Sequence, residues 1–491
     1  MASHLTAGQL YLGGRPVPGR GNPLPVEDPA TEEVFTTVPT ADAAQVEAAI
    51  AGSYDAFVSG VWASVPVAGR VAALGRMADW LDTRREELVE TAVREVGAPL
   101  RLAQWAQVGM SIDQARQLPA LFATLPEWEH NELPLADLVG AKDVLLSIRR
   151  YEPVGVVAAI TPYNFPLQTN VWKVFSALAA GCSVILRPSP LTPLTALALG
   201  EAAVAAELPP GVLNVIVEEG THGAEKLTSD PRVDCVSFTG STTVGRRIAA
   251  QAAPTVKRLV LELGGKSVQL YLPDAVERVG AGAATVFASH SGQACTAQTR
   301  VLVPRDALDA TLERLAGTAA ALSPGDPRNA NTLVGPLISA AQRQRVEGLV
   351  AEGIKAGATL VAGGGRPSHL DRGYFVEPTV LLVEDNSNPV AQREVFGPVV
   401  TVQGYRDVDE AIAIANDTEY GLGGGVYTAD LSAGLALAGR IRSGTVQVNR
   451  SAATAYTPTG GVKQSGIGRE RGVAGLREYQ ETKHVVVGPA S

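Results

Sequence analysis

Three side chains in this sequence suit nucleophilic catalysis: a cysteine, a glutamate and an asparagine. Cys295 follows a helical pattern and lies in a small polar loop, where its thiolate would be a strong nucleophile. Glu262 ends an apolar, strand-like run, and burial there would raise the pKa of its carboxyl toward the range of a general base. Asn164 stands between two prolines after another apolar run, so its amide is a rigid donor for an oxyanion.

Each of these residues also has a purely structural interpretation. His290 is a candidate base for the thiol, but a solvent-exposed histidine at a helix end is the favoured interpretation. Glu262 can form a salt bridge with Lys257 or Lys266, and Asn164 can form an Asx turn. The residue types alone therefore leave both catalysis and structure open.

A strand-to-helix turn at residues 238–245 (FTGSTTVG) is a candidate phosphate site. Gly240 and Gly245 flank the start of the helix, whose unpaired N–H groups and positive dipole end suit a pyrophosphate. The spacing Gly-x-x-x-x-Gly differs from the common dinucleotide fingerprint, and no lysine follows as in a P-loop. By itself, an ordinary strand–helix turn explains this segment equally well.

The elements that would position these groups alternate between strand and helix, which predicts βαβ units and a mostly parallel, doubly wound sheet. The predicted strands are residues 154–160, 183–186, 212–217, 236–238 and 258–261, and the predicted helices are residues 168–180, 195–206 and 244–253. A second α/β unit follows to residue 462, with a helix at 274–289, a strand at 300–303 and a helix at 340–356. Short strands are also predicted at 144–148 and 485–487, the second able to pair with an exposed sheet edge, such as that of another subunit.

Composition and charge exclude several classes of protein. Of the 491 residues, 46% are hydrophobic and 19% are charged, which excludes a disordered chain. The net charge of -9 and the lack of a dense basic cluster argue against a nucleic-acid partner. Cys182 and Cys235 lie in apolar runs as inert core residues, and no disulfide framework or CxxC metal motif appears. With no secretory signal and no apolar run of membrane-spanning length, we expect a soluble cytoplasmic protein.

In order and spacing, five motifs resemble those of the aldehyde dehydrogenase superfamily, over nearly the whole chain from Tyr11 to Val487. The motifs are residues 161–167 (TPYNFPL), 261–266 (LELGGK), 292–300 (GQACTAQTR), 394–398 (EVFGP) and 460–470 (GGVKQSGIGRE).

The resemblance implies a catalytic role for four residues. Cys295 would attack an aldehyde to form a thiohemiacetal, whose oxyanion Asn164 and the cysteine N–H would hold. Hydride transfer to a nicotinamide would leave a thioester, and Glu262 would activate the water that releases the carboxylic acid. Lys173 matches a family lysine behind the active site. These roles agree with the chemistry that the residue types suggest.

The resemblance also implies a dinucleotide site, which holds NAD or NADP. The residues carried over to it are Thr161, Pro162, Trp172, Arg187, Ser189, Gly240, Ser241, Gly245, Leu263, Glu394 and Phe396. Where the family has a glutamate three positions after a lysine, this chain has Arg187 and Pro190. The carboxylate for the adenosine ribose is then missing and Arg187 can pair with a 2′-phosphate, so we expect NADP to be accepted.

The substrate pocket implied by the resemblance would be lined by Tyr163, Thr169, Ala294 and Thr296. Small residues stand where the family often has aromatic ones, at Ala288, Ser289 and Thr459, which suggests a roomy pocket for bulky aromatic or aliphatic aldehydes. No metal site is expected.

The fold class expected is α/β, with a doubly wound Rossmann-like cofactor domain (residues 1–124 and 151–263) and an α/β catalytic domain (264–462). A small β oligomerisation arm (125–150 and 463–491) would make a homodimer or homotetramer. Three rival functions remain: CoA-acylating oxidation of a semialdehyde, disfavoured by Glu262; a cysteine hydrolase or thioesterase without redox chemistry; and a catalytically inert scaffold.

Overall fold

Four β-sheets and the helices that cover them form the structure of residues 9–132, 146–451 and 453–489, the part of the chain that the computed structural model describes. Strands β1 to β20 are, in chain order, Leu10–Leu12, Arg15–Val17, Leu24–Asp28, Glu33–Val38, Trp128–His130, Leu146–Pro153, Val156–Ile160, Ser183–Arg187, Leu213–Val215, Cys235–Thr239, Arg258–Glu262, Val268–Tyr271, Arg300–Pro304, Thr359–Ala362, Thr379–Leu382, Val399–Tyr405, Gly423–Tyr427, Thr445–Val448, Gly466–Ile467 and Gln480–Val487.

Helices α1 to α16 are Ala43–Val58, Val67–Thr83, Arg85–Thr91, Leu100–Leu102, Met110–Phe122, Pro166–Ala180, Leu194–Ala205, His222–Ser229, Thr242–Ala252, Val279–Ala288, Leu308–Ala321, Ala340–Lys355, Pro389–Gln392, Val408–Asn416, Leu431–Ala438 and Gly472–Arg477. Two π-helical segments, Ala92–Val96 and Ala103–Gly109, interrupt the helical region before the first long strands. Among the described helices, none has both the length and the apolar composition needed to span a bilayer.

The first sheet has the strand order β19-β11-β10-β7-β8-β9-β1-β2. Strands β11, β10, β7, β8 and β9 run parallel, and the remaining strands pair antiparallel at the two edges. Every residue of β7, β8 and β10 is buried. Helices cover both faces, since α2, α5, α6 and α7 contribute to one apolar cluster, and α1, α8 and α9 to the other. Continuous apolar runs are typical of parallel strands enclosed in this way.

The second sheet has the order β14-β15-β16-β13-β12-β17-β18 and is parallel except for β14. The helix predicted at residues 274–289 is in fact two elements, a 3-10 segment Pro273–Arg278 followed by α10. The Asp274 carboxylate accepts hydrogen bonds from Thr428 Oγ1 and from the Ala429 N–H, and these contacts fix the first turn against a neighbouring loop.

The third sheet, β20-β6-β5, is antiparallel and includes the C-terminal strand. The strand predicted at 485–487 extends over Gln480–Val487, and it pairs with β6 of the same chain, with Val485 opposite Ile148. The edge that receives it therefore belongs to this chain. Residues 144 and 145 of the predicted strand 144–148 lie outside the described residues. Gly466–Ile467, within the segment assigned to the arm, joins the first sheet beside β11.

Replacing Gly466 with alanine is expected to lower the free energy of unfolding by about 3 kcal/mol. A Cβ at this position would lie 1.8 Å from the Leu261 carbonyl oxygen, and the backbone φ of +137° is unfavourable for any L side chain. Gly317→Ala is the matched control, because nothing lies within 4 Å of the added Cβ and alanine favours a helix by about 0.5–1 kcal/mol. Equal melting temperatures of the two variants would contradict the prediction.

Candidate active site

The register of the first sheet brings the predicted site residues to one edge. Phe238 lies opposite Ile160 on β7 and opposite Leu261 on β11, and Ile160 lies opposite Arg187 on β8. Residues that follow these positions, at the carboxyl ends of the parallel strands, therefore stand side by side, where doubly wound sheets bind ligands.

A cavity of about 550 Å³ opens at this edge. The predicted site residues that line it are Thr161, Pro162, Tyr163, Asn164, Arg187, Ser189, Gly240, Ser241, Glu262, Leu263, Cys295, Glu394 and Phe396. Such a cavity has the size of a typical small-molecule or cofactor site. The nucleophile, the amide and the carboxylate thus share one space with the residues expected to bind the dinucleotide.

Cys295 is the cysteine that lines this cavity, whereas Cys182 and Cys235 are completely buried in the first sheet. Burial raises the pKa of the Cys295 thiol to about 12, and the carboxylates of Glu394 and Glu262 add to the effect. The thiol is therefore protonated at neutral pH in this state, and attack on a carbonyl requires loss of that proton.

Asn164 is held on both its backbone and its side chain. Its carbonyl accepts a hydrogen bond of 2.7 Å from the Gln107 side chain, and its Nδ2 donates to the Gln293 carbonyl at 2.8 Å. This bond uses one of the two amide hydrogens, which leaves the other for a ligand in the cavity. Gln107 and Gln293 position the amide, and neither has a local sequence pattern that indicates this role.

Glu262 ends β11 with 5% of its surface exposed. Burial raises the pKa of its carboxyl well above the ordinary range, the Glu470 carboxylate raises it further, and Lys173 opposes both. Its Oε1 has no hydrogen-bond partner within the described ranges. A salt bridge to Lys257 or Lys266 does not form, and the first of these donates instead to two backbone carbonyls. A buried, unpaired carboxyl of this kind suits a general base.

Lys173 lies behind Glu262 and outside the residues that line the cavity. Its ammonium forms a fully buried ion pair with Glu470 and donates to Ser237 Oγ at 3.1 Å. The Ser237 hydroxyl in turn contacts the Tyr479 hydroxyl at 3.0 Å. The lysine therefore acts on the site through its charge and not by direct contact with the cavity.

The turn at Gly240 forms the kind of helix N-terminus that binds phosphate. Ser241 caps α9, with its Oγ accepting from the Val244 N–H at 3.3 Å, and Gly240 and Ser241 both line the cavity. A Cβ on Gly245 would lie 2.5 Å from Leu263, so glycine allows the helix to pack closely on that side chain. These residues fit a dinucleotide pyrophosphate.

The loop of Glu394 and Phe396 forms another wall of the cavity. Glu394 accepts a hydrogen bond of 3.0 Å from the Gly265 N–H, and the Phe396 ring packs edge-on against Tyr163. The loop is held from α12, since Arg345 donates to the Val395 and Glu394 carbonyls at 2.6 Å each. Gln342 does the same for the Phe396 carbonyl, at 2.8 Å. Neither Gln342 nor Arg345 was predicted, although both line the cavity.

Besides Lys173 and Gly245, four predicted site residues are not among those that line the cavity. The Trp172 indole N–H contacts Gln114, and the Arg471 guanidinium lies over its ring at 4.7 Å. Thr169 is buried in α6, where its hydroxyl donates to the Phe165 carbonyl. Ala294 and Thr296 flank the nucleophile in sequence, but they are not among the residues that line the cavity.

Two expectations about charged groups need correction. His290 is completely buried instead of exposed, its ring packs edge-on against Phe165, and burial lowers its pKa to about 3. A neutral histidine without a hydrogen bond to Cys295 is a packing residue of the catalytic loop. Arg187, expected to be free for a phosphate, already forms an ion pair with Glu218 at 2.8 Å.

Comparison with known proteins agrees with this geometry. The model of the aldehyde dehydrogenase family matches residues 17–485. Geranial dehydrogenase of Castellaniella defragrans is 38% identical over 457 residues, which cover 93% of this chain and 93% of that protein. A crystal structure of aldehyde dehydrogenase C from Pseudomonas syringae, a mutant in complex with NAD+ and octanal, is 38% identical with a TM-score of 0.93 and covers 100% of this chain and 99% of that chain.

The NAD+ complex of a Bacillus cereus aldehyde dehydrogenase is 35% identical with a TM-score of 0.92, covering 98% of this chain and 96% of that chain. These matches confirm the resemblance and the α/β fold class that the motifs predict. The chain belongs to the aldehyde dehydrogenase family, and it is an enzyme that oxidises an aldehyde with a nicotinamide dinucleotide.

Proposed function

We propose that Cys295, Asn164 and Glu262 carry out the oxidation of an aldehyde to its carboxylic acid. The observation that supports these roles is that all three side chains line one cavity, which also reaches Glu394 and Phe396. Cys295 releases its proton to solvent, and its sulfur forms a bond to the carbonyl carbon, which gives a thiohemiacetal. Asn164 Nδ2 and the Cys295 N–H donate to the oxygen on which the negative charge develops.

The chemistry that NAD+ supplies when bound is acceptance of the hydride, which leaves the acyl group on Cys295 as a thioester. Glu262 then removes a proton from water, and the resulting hydroxide adds to the thioester carbonyl. The C–S bond breaks, the carboxylic acid leaves and the thiol is restored. The raised pKa of Glu262 suits this step, because a base is most effective when its pKa is near the working pH.

Lys173 is a positioning residue in this scheme. Its ammonium is paired with Glu470, and its charge lowers the pKa of Glu262 whereas Glu470 raises it. The balance of the two buried charges sets how readily Glu262 gives up and takes a proton. This role agrees with the position of Lys173 behind the cavity.

The cofactor site would be formed by the two ends of the same cavity. The Gly240–Ser241 turn, with Gly245 packed on Leu263, would hold the pyrophosphate, and Glu394 and Phe396 the nicotinamide ribose and ring. Thr161, Pro162, Arg187 and Ser189 would contact the adenosine part, and Trp172 of α6, which contacts Gln114 of α5, would lie near the bound cofactor. Acceptance of NADP+ beside NAD+ is part of the proposal, because Pro190 lines the cavity where the resemblance places a carboxylate that would repel a 2′-phosphate.

Bulky aliphatic or aromatic aldehydes are the proposed substrates. The relative from Pseudomonas syringae binds octanal, and the relative from Castellaniella defragrans is a geranial dehydrogenase. Tyr163 would contact the aldehyde in the cavity, with Thr169, Ala294 and Thr296 behind the residues that line it and the small residue Thr459 leaving space. Retention of Glu262 in the cavity favours water over CoA as the acyl acceptor.

A homodimer or homotetramer in the cytoplasm is the proposed biological form. The free cysteines Cys182 and Cys235 suit a reducing compartment, and the small sheet of β5, β6 and β20 is the proposed oligomerisation arm. Residues 1–124 with 151–263 and residues 264–462 are the proposed cofactor and catalytic domains, each built around one of the two large sheets.

The direct test is to measure the reduction of NAD+ and of NADP+ by a panel of aldehydes with the purified protein as catalyst. The Cys295→Ala variant is the control. Reduction that is lost in the variant supports the proposal, and a similar or modestly lower affinity for NADP+ supports acceptance of both cofactors. Reduction that appears only after CoA is added would support the acylating reaction instead.

Glu262→Gln is expected to lower steady-state turnover roughly 100-fold and to retain the first hydride transfer, because glutamine cannot deprotonate water. Rapid mixing should show a burst of reduced cofactor close to one per active site, followed by slow turnover. Cys295→Ala should show neither phase. Full turnover in the glutamine variant would exclude Glu262 as the base.

The reactivity of Cys295 is expected to rise with pH. Its pKa is raised to about 12, so the thiolate is the minor form at neutral pH and its fraction grows about tenfold per pH unit. Alkylation by iodoacetamide between pH 6 and 9, followed by mass spectrometry of the Cys295 peptide, should show this slope. Peptides of Cys182 and Cys235 provide an internal control, because both are fully buried. A plateau below pH 8 would contradict the assignment.

A further inference from the structure

Arg187 lines the cavity at a distance along the sheet from Glu262, and it forms an ion pair with Glu218. Glu262 ends β11, and Arg187 ends β8, three strands away and so about 14 Å across the sheet. Arg187 Nε donates to Glu218 Oε1 at 2.8 Å, and Nη2 donates to the Gly220 carbonyl at 2.7 Å. Both side chains are more than nine-tenths buried. The pair is therefore fixed before any ligand binds.

Glu218 is held by the start of α8 as well as by the arginine. Its Oε2 accepts from the Gly223 N–H at 2.6 Å, and its Oε1 also accepts from the Ala224 N–H at 2.9 Å. Both carboxylate oxygens are thus occupied. Within the described ranges, Nη1 is the one nitrogen of the Arg187 guanidinium without a hydrogen-bond partner.

The surrounding charges do not favour an additional anion. Arg247, the other arginine at this end of the cavity, is paired with Glu225 at 2.6 Å. Glu219 also lines the cavity and is exposed, without an ion pair in the described structure. Each arginine is therefore matched by a carboxylate, and one carboxylate is in excess. A phosphate monoester would meet little net positive charge here.

We propose that Glu218 is a specificity-determining residue, which sets the preference between NAD+ and NADP+ by its ion pair with Arg187. The inference rests on the proposed binding of a dinucleotide in this cavity with its adenosine ribose toward Arg187. With Glu218 paired to Arg187, Nη1 is a single donor that suits a ribose 2′-hydroxyl. A 2′-phosphate needs an uncompensated positive charge, which Glu218 neutralises, and a two-pronged donor, of which Glu218 occupies Nε and the Gly220 carbonyl occupies Nη2, so NADP+ binds more weakly than NAD+.

Glu218→Gln tests this inference, because glutamine keeps the shape and an acceptor oxygen but removes the charge. Calorimetric titration of the full-length protein with NADP+ and NAD+ reports binding independently of turnover. The fragments 2′,5′-ADP and ADP, which differ only by the 2′-phosphate, isolate the effect. We expect NADP+ and 2′,5′-ADP to bind about tenfold more tightly to the variant, with NAD+ and ADP changed less than about twofold.

Glu219→Gln is the matched comparison, because it removes the same formal charge from the same region without touching an arginine. It should change the ratio of NAD+ affinity to NADP+ affinity by less than about twofold. If both variants change the affinity ratio equally, general charge and not the ion pair sets the preference, and the inference is wrong. An affinity ratio that neither variant changes would also contradict the inference.

Arg187→Met provides a second test should Glu218→Gln fail to fold, as judged by its melting curve. The variant loses the Nη1 donor for both dinucleotides, but the unpaired Glu218 carboxylate should weaken NADP+ binding about tenfold more than NAD+ binding. An unchanged ratio would overturn the inference. A wild-type protein that binds neither dinucleotide would instead contradict the proposed function, so the two failures are distinguishable.

Discussion

In the first sheet, Thr239 of β10 lies opposite Glu262 of β11. The other neighbour of β10 is β7, which ends directly before Thr161. This parallel register places the carboxylate, the pyrophosphate turn and the loop of Asn164 at one edge. Side chains alternate between faces along a strand, so a slip by one residue would turn Glu262 toward the other face. The apolar runs of these strands, buried on both faces, prevent such a slip because they pack against two different helix layers.

Low polarity at this edge determines the chemistry as much as the geometry does. Burial is the largest cause of the raised pKa of Cys295 and of Glu262, and neighbouring carboxylates increase it in both cases. The low polarity and the neighbouring carboxylates thus disfavour the charged form of both acidic groups. Lys173 limits the effect because its ammonium partly offsets the paired negative charge of Glu470. The site is a set of coupled charges rather than three independent side chains.

Much of the fold could be predicted from local patterns. The strand predicted at 236–238 is part of Cys235–Thr239, and the helix predicted at 168–180 is Pro166–Ala180, which begins at a proline as helices often do. Cys295, Glu262 and Asn164 were predictable because each stands in a distinctive motif.

What sequence patterns could not predict are contacts between distant residues. Gln107 reaches Asn164 across 57 positions, and Arg187 reaches Glu218 across 31. His290 was misjudged because a polar residue after a helix usually faces solvent, whereas here the catalytic loop folds over it.

The last part of the chain has a consequence for how the enzyme comes into being. Ser465 binds the backbone of Leu263 and Gly264, next to Glu262, and Glu470 forms the ion pair with Lys173. Because these contacts come from the segment after Val448, the site is complete only once that segment has packed against the first sheet.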